Sequence, residues 1–176
     1  MLKELTIPAG VIVKIENNSI SVSKSGKTIT KTFDHPSVHV KIESSKLLIE
    51  TDSDSRHAKK LVNTYASHLY NLFEGLNAEY VYKLKICFSH FPVEVVVKDD
   101  EVLIKNFLGE RKPRKARIIG KASVKVNDSL VTVSSSSKEA AGQTAANLES
   151  AAVVKKHDRR RFQDGIYMIE KAGKEL

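Results

Sequence analysis

Apolar and polar positions recur with two different periods along this chain, and the switch between them marks its elements. Leu5 to Ile15 and Ser19 to Lys24 alternate or run apolar with β-branched residues, as short strands do. Ser25-Gly26-Lys27 is a tight-turn signal before Thr28 to Phe33, so a hairpin is expected there. Val38, Val40 and Ile42 alternate strictly, and Leu47 to Glu50 gives another strand. The period then changes. Ala58, Leu61, Val62, Tyr65, Leu69, Leu72 and Phe73 fall on one stripe of a helix of about twenty residues, with Asp54 and Ser55 as its start signal and Gly75 as its stop.

The second half repeats this order. Phe91-Pro92 followed by Val95-Val96-Val97-Lys98 matches Ile7-Pro8 followed by Val11-Ile12-Val13-Lys14 at an offset of 84. Gly109 follows Gly26 at 83, and Val124 and Val126 follow Val40 and Ile42 at 84. A second helix is expected from near Ser136, with Glu139 completing a capping-box pattern and Ala140, Ala141, Thr144, Ala145, Leu148, Ala151 and Ala152 forming a small-residue inner face. The predicted fold class is α+β: two tandem similar domains, 1–79 and 80–176, each a small antiparallel sheet packed on one helix. The alanine-built second helix should lie closer to its sheet than the first.

Composition excludes several classes. Leu, Ile, Val and Phe make up 29% of the 176 residues, too many for a disordered chain. The longest unbroken apolar run is Ala151 to Val154, so no membrane partner is expected. The stretch MLKELTIPAG lacks the apolar core of a secretory signal, and the single cysteine, Cys87, has no internal disulfide partner, so an intracellular setting is expected.

Charge changes the picture more. Residues 1–80 hold 10 basic and 9 acidic side chains, whereas residues 81–176 hold 19 and 12. Almost the whole excess of +8 lies in the second half, in two clusters. Lys105, Arg111, Lys112, Arg114, Lys115, Arg117 and Lys121 stand against Glu110 alone. Lys155, Lys156, Arg159, Arg160 and Arg161 surround His157 and Asp158, with Lys171 and Lys174 beyond. Arginine forks suit phosphate because two parallel charge-assisted bonds reach one anion, so these fourteen side chains are the candidate RNA-binding residues, with a nuclear-localisation address or a merely solvated surface as the other readings of such runs. No helix-turn-helix, zinc-finger or basic-zipper pattern points to DNA, and no strand of stacked aromatics points to base reading. Backbone and shape recognition of folded RNA fits best.

Catalytic chemistry finds little support. The six histidines are scattered, no Cys-x-x-Cys occurs, and His35 and His39 flank Pro36 in an extended segment, so no metal site is expected. No glycine pattern forms a phosphate loop, and no cofactor is expected. Cys87 in an apolar strand reads as a small core residue. Ser135 and Lys138 have Ser-x-x-Lys spacing, but the serine run reads better as a loop and helix cap. Asp52 and Asp54 complement a helix dipole without a metal.

The stretches YKLKICFSHFPVEVVV (82–97), VLIKNFLGERKPRKARI (102–118), GQTAANLE (142–149) and DRRRFQDGIYMIEK (158–171), with ITKTFDH (29–35), resemble the universal large-subunit ribosomal protein L-six family, called L-nine in eukaryotic cytosolic ribosomes. NFLGE and FQDGIY resemble its archaeal and eukaryotic branch. The resemblance implies a duplicated α+β fold that is not an enzyme and whose C-terminal domain docks large-subunit ribosomal RNA, in the 3′ region near the sarcin-ricin loop and the stalk base. It implies cytosolic ribosomes, neighbouring large-subunit proteins and transient translation factors as partners. A free-standing RNA chaperone would share the charge pattern and is the alternative. Gly165 is expected to serve the backbone, at a turn or a close approach to RNA. Neutralising Arg111, Arg114, Arg117, Arg159 and Arg161 together is expected to abolish RNA docking in a filter-binding titration. Matched changes at Lys14, Lys24 and Lys41 should matter far less, and equal losses from both sets would contradict docking through the second domain.

Overall fold

A computed structural model describes residues 2–16, 18–33, 35–43, 45–89, 91–155, 157–158 and 160–176. The first apolar run, predicted as one strand from Leu5 to Ile15, is two: β1 (Leu2–Thr6) and β2 (Ile12–Glu16). Pro8 withholds a ladder donor and Gly10 turns the chain at φ +79°, with the Val11 N–H donating to the Pro8 carbonyl at 3.3 Å. The two strands therefore enter different sheets. β3 (Ser19–Lys24) and β4 (Lys27–Thr32) form the expected hairpin, Lys24 facing Lys27 across Ser25 and Gly26 at φ +50° and +82°. Positive φ at both central residues matches the right-handed twist of the flanking strands. β5 (Val38–Glu43) and β6 (Lys46–Thr51) follow, giving sheets β1-β6-β5 and β2-β3-β4.

Helix α1 (Arg56–Asn77) starts where Ser55 accepts the Ala58 N–H on its hydroxyl. It runs through Gly75 rather than stopping there: Gly75 and Leu76 are both buried, and one more apolar contact outweighs the glycine's cost of about 1 kcal/mol. Val62, Leu69 and Phe73 of α1 pack with Leu47, Ile49, Ile20, Val22 and Phe33 in one core.

The chain divides into two compact units, Met1–Ala78 and Glu79–Leu176. The second rebuilds the same plan from β7 (Tyr80–Cys87), β8 (Glu94–Lys98), β9 (Glu101–Lys105), β10 (Arg114–Arg117), β11 (Ser123–Asn127), β12 (Leu130–Ser135) and α2 (Lys138–Ala151). Order β7-β12-β11 repeats β1-β6-β5, and β8-β9-β10 repeats β2-β3-β4. The Ser137 hydroxyl accepts the Ala140 N–H at 3.3 Å, so α2 begins one residue later than the Ser136 capping box implied. Ala140, Ala141, Thr144, Ala145 and Leu148 are buried. Tyr82 of β7 comes so near that a Cβ on Gly142 would meet its hydroxyl at 3.1 Å, which is what the small-residue face permits.

Two departures set the second unit apart. Residues 106–113 connect β9 to β10 where Ser25 and Gly26 suffice in the first unit. After α2 the chain continues into β13 (Gly165–Lys171) and β14 (Lys174–Glu175), β13 pairing with the far edge of β7. β7 thus has neighbours on both sides, whereas β1 pairs with β6 alone among the described residues.

Candidate nucleic-acid interface

The β9–β10 connection is a bent, pinned loop. Asn106, Leu108 and Gly109 have φ of +56°, +52° and +75°, a left-handed conformation that favours glycine and costs other residues about 1–3 kcal/mol. Burial offsets that strain. Phe107 is 1% exposed in the core, the Asn106 amide donates to the Pro92 carbonyl at 3.0 Å, and the Glu110 N–H donates to the Phe107 carbonyl at 3.0 Å. At Gly109 the Phe91 ring lies 3.4 Å from where a Cβ would stand. Arg111 and Lys112 project beyond, exposed, and Pro113 leads into β10, an edge strand as proline requires.

Arg114 turns inward. Its Nε and Nη2 donate to the two Glu110 carboxylate oxygens at 2.9 and 2.6 Å, and its Nη1 donates to the carbonyls of Ala151 and Val153 at 3.0 and 2.8 Å. Its guanidinium carbon lies 4.3 Å from the Phe107 ring centroid. A cation is thereby placed on the C-terminal carbonyls of α2, where the helix dipole favours it. The hydrogen bond from Arg114 holds the Glu110 carboxyl below the ordinary glutamate range.

The segment after α2 is anchored as well. The Arg161 and Phe162 N–H groups donate to the Asp158 carbonyl at 3.0 and 2.9 Å, and Phe162 packs on the core. The Arg160 guanidinium binds the Asp158 carboxylate at 2.8 Å and keeps its pKa low. Asp164, 1% exposed, accepts the Ser89 N–H and hydroxyl on Oδ1 at 3.1 and 2.8 Å. Next to it Gly165 pairs with Cys87. Gly165 is buried and faces the ring of Tyr167, whose hydroxyl donates to the Gln163 carbonyl. Gly165 thus lies at the start of a strand rather than at a turn, with the Tyr167 ring close against it.

The two sequence clusters are tied together at the near end of the second unit. Arg114 joins the first to the end of α2, two residues before Lys155, while Phe91 lies against Gly109 and Ser89 binds Asp164. Four predicted residues there carry carboxylate partners: Lys105 with Glu94 at 3.4 Å, Lys115 with Glu101 at 2.9 Å, Arg114 with Glu110 and Arg160 with Asp158. Lys115 keeps the Glu101 carboxyl low, with Arg117 adding at longer range. Among the described residues no ion pair forms on Arg111, Lys112, Lys121, Lys155, Arg161, Lys171 or Lys174. Arg117 faces Glu101 at the opposite end of β10, its carbonyl bound by the Asn147 amide, and Lys121 follows Gly120. Lys171 and Lys174 face each other about 15 Å along the β7–β13 ladder from Cys87, away from the other clusters. Lys156 and Arg159 lie outside the described residues.

Sequence reasoning passed over Asp164, Phe88 and Phe91. The acid stands beside a glycine in QDG, a spacing that signals nothing by itself, and the two rings belong to a loop rather than a patterned element. The groups weighed for catalysis have structural partners. The Ser135 hydroxyl accepts the Ser137 N–H at 3.2 Å, and the Lys138 amine lies 5.4 Å from the Tyr80 ring centroid. Cys87 is half-buried at the end of β7. His39 meets Asp52 at 3.5 Å, and among the described residues no group of three or more His, Cys, Asp or Glu is placed to hold a metal. No described helix is long and apolar enough to cross a membrane.

Fold and surface define a class: a duplicated α+β protein whose second unit carries, on the segments it adds to the common plan, cations without ion-pair partners among the described residues. Residues 91–165 match the family model described as Ribosomal protein L6. The chain is 41% identical over 174 residues to the large ribosomal subunit protein uL6 of Methanococcus vannielii, covering 99% of this chain and 96% of the relative. The uL6 protein of Methanocella arvoryzae is 40% identical, covering 97% of each, and that of Methanosarcina mazei 38% identical, covering 98% of this chain and all of the relative. The chain belongs to the ribosomal protein L6 family, that of large ribosomal subunit protein uL6.

Replacing Arg114 with Lys keeps the charge and removes the planar fork. It is expected to lower the unfolding free energy by about 1–3 kcal/mol in urea titrations at neutral pH, because the helix-end carbonyls lose their donor. The contribution of Glu110 is present above the carboxyl's unfolded pKa and is lost as pH falls through its lowered folded value, so the advantage over Glu110→Gln should shrink in acid. An Arg114→Lys protein as stable as the parent would contradict the clamp.

Proposed function

We propose that this chain is a structural constituent of the large ribosomal subunit that docks large-subunit ribosomal RNA through its second domain, 80–176. Docking is electrostatic and by shape, in the 3′ region near the sarcin-ricin loop and the stalk base, and it stabilises the RNA fold beside the translation-factor site. The observation that carries this reading is the position of the cations without carboxylate partners among the described residues. Arg111, Lys112, Lys155 and Arg161 all lie on the two segments by which the second unit departs from the first. A surface whose charge is left uncompensated within the fold is available to phosphate.

The internally paired residues take a different part. Arg114 orders the loop that displays Arg111 and Lys112, and Arg160 with Asp158 shapes the turn before Arg161. Lys105, Lys115, Arg117, Lys121, Lys171 and Lys174 complete the proposed RNA-facing set at greater distance, and no catalytic group is assigned. Neighbouring large-subunit proteins and transiently bound translation factors are the remaining proposed partners, in cytosolic ribosomes.

If about six to eight phosphates are engaged, log affinity should fall against log salt with a slope of about −4 to −7. The direct test is sedimentation of the tagged chain from a lysate at ordinary and at high salt. Co-migration with large subunits through the high-salt wash is expected. Protein found only at the top of the gradient, bound to RNA there, would instead favour a free-standing RNA chaperone.

A further inference from the structure

We propose that Phe88 and Phe91 form a stacking platform for unpaired nucleobases of the docked RNA, set between the two cationic segments. The proposal rests on the RNA-docking reading and adds base contact to a surface otherwise described by phosphate charge alone.

Both rings are about half exposed, at 50% and 46%, although they lie beside a core that buries Phe107 to 1%. Two aromatics half in solvent on one short stretch offer flat apolar faces to a partner. The described residues next to the rings are anchored on both sides. Buried Asp164 accepts the backbone N–H and the hydroxyl of Ser89 on a single oxygen, and Cys87, just before Phe88, is paired with Gly165. At the other end Phe91 lies against Gly109, whose left-handed φ of +75° and missing Cβ allow the approach, and the Asn106 amide holds the Pro92 carbonyl. Rings presented by an anchored backbone lose little entropy when a flat partner lands on them.

Charge identifies that partner. Arg111 and Lys112 follow Gly109 by two and three residues, and Arg161 precedes Asp164 by three, all exposed and without ion-pair partners among the described residues. The aromatic loop therefore touches both segments that bear free cations. An apolar protein surface would have to cover those cations, whereas a nucleotide brings a flat base for the ring and a phosphate for the guanidinium on one unit. Stacking needs no particular base, so it is compatible with a surface that makes no sequence-specific pattern of hydrogen bonds.

The test uses the full chain and deproteinised large-subunit ribosomal RNA. Phe88→Ala and Phe91→Ala should each weaken binding by about 5- to 150-fold, the range measured for loss of one stacked base. The salt slope should stay unchanged, because a ring displaces no counterion. Phe88→Tyr and Phe91→Tyr should each keep the parent's affinity, and ultraviolet irradiation of the parent complex should cross-link a nucleotide to Phe88 or Phe91. Thermal unfolding of each variant separates these effects from misfolding, and the cross-link requires no variant. Alanine variants that bind like the parent, together with no cross-link at either ring, would overturn the proposal. So would normal RNA binding coupled with poor uptake into large subunits, which would assign the rings to a protein neighbour. A parent chain showing no salt-dependent RNA binding would instead defeat the docking reading itself.

Discussion

The guanidinium of Arg114 sits where four parts of the second unit meet: the Glu110 carboxylate, the Phe107 ring, and the carbonyls of Ala151 and Val153 at the end of α2. Buried Phe107 and the Asn106 amide hold the first half of a loop with three left-handed residues among four, and the Arg114 clamp ties its outer half to the end of α2. With the clamp closed, the strained turn carries Arg111 and Lys112 outward, and the chain leaving α2 starts from a fixed point. Asp164 does the corresponding work on the other side, fixing Ser89 against the start of β13. Two interactions formed by residues far apart in sequence thus make one surface of two basic segments.

Duplication explains why the surface lies where it does. The first unit shows the unadorned plan, with a two-residue turn between β3 and β4 and no described strand beyond β1. Of its nine lysines, Lys41 pairs with Glu50, Lys46 with Glu4 and Lys59 with Asp54. The second unit keeps the pairing order and lengthens the chain at two places that a sheet tolerates without rearrangement, a hairpin end and an open edge. The proposed docking surface is thus concentrated in additions, while the shared scaffold has cores built on Leu69 in one unit and Leu148 in the other.

Periodicity made most of the scaffold legible. The stripe from Ala58 to Phe73 is the buried face of α1, and Ser25-Gly26 makes its hairpin turn. Signals went astray where tertiary contacts override local chemistry. Gly75 reads as a stop, yet burial of Leu76 carries the helix past it. Leu5 to Ile15 reads as one run because strand periodicity does not report the change of sheet between β1 and β2. The basic clusters were visible as charge, but charge in sequence does not distinguish a guanidinium facing solvent from one folded inward: Arg111 and Arg114 look alike until Glu110 and the end of α2 are in place. Asp164 was silent for the same reason, since its partner Ser89 lies 75 residues away.

Lysine reactivity compares the two units most directly. The free chain and intact large subunits containing it would be acetylated under the same conditions and the modified lysines quantified by mass spectrometry. Lys112 and Lys155, exposed and without ion-pair partners among the described residues, should lose reactivity on assembly, while exposed Lys14 and Lys60 of the first unit should largely keep theirs. Protection of Lys14 and Lys60 with Lys112 and Lys155 still reactive would place the docking surface on the wrong unit.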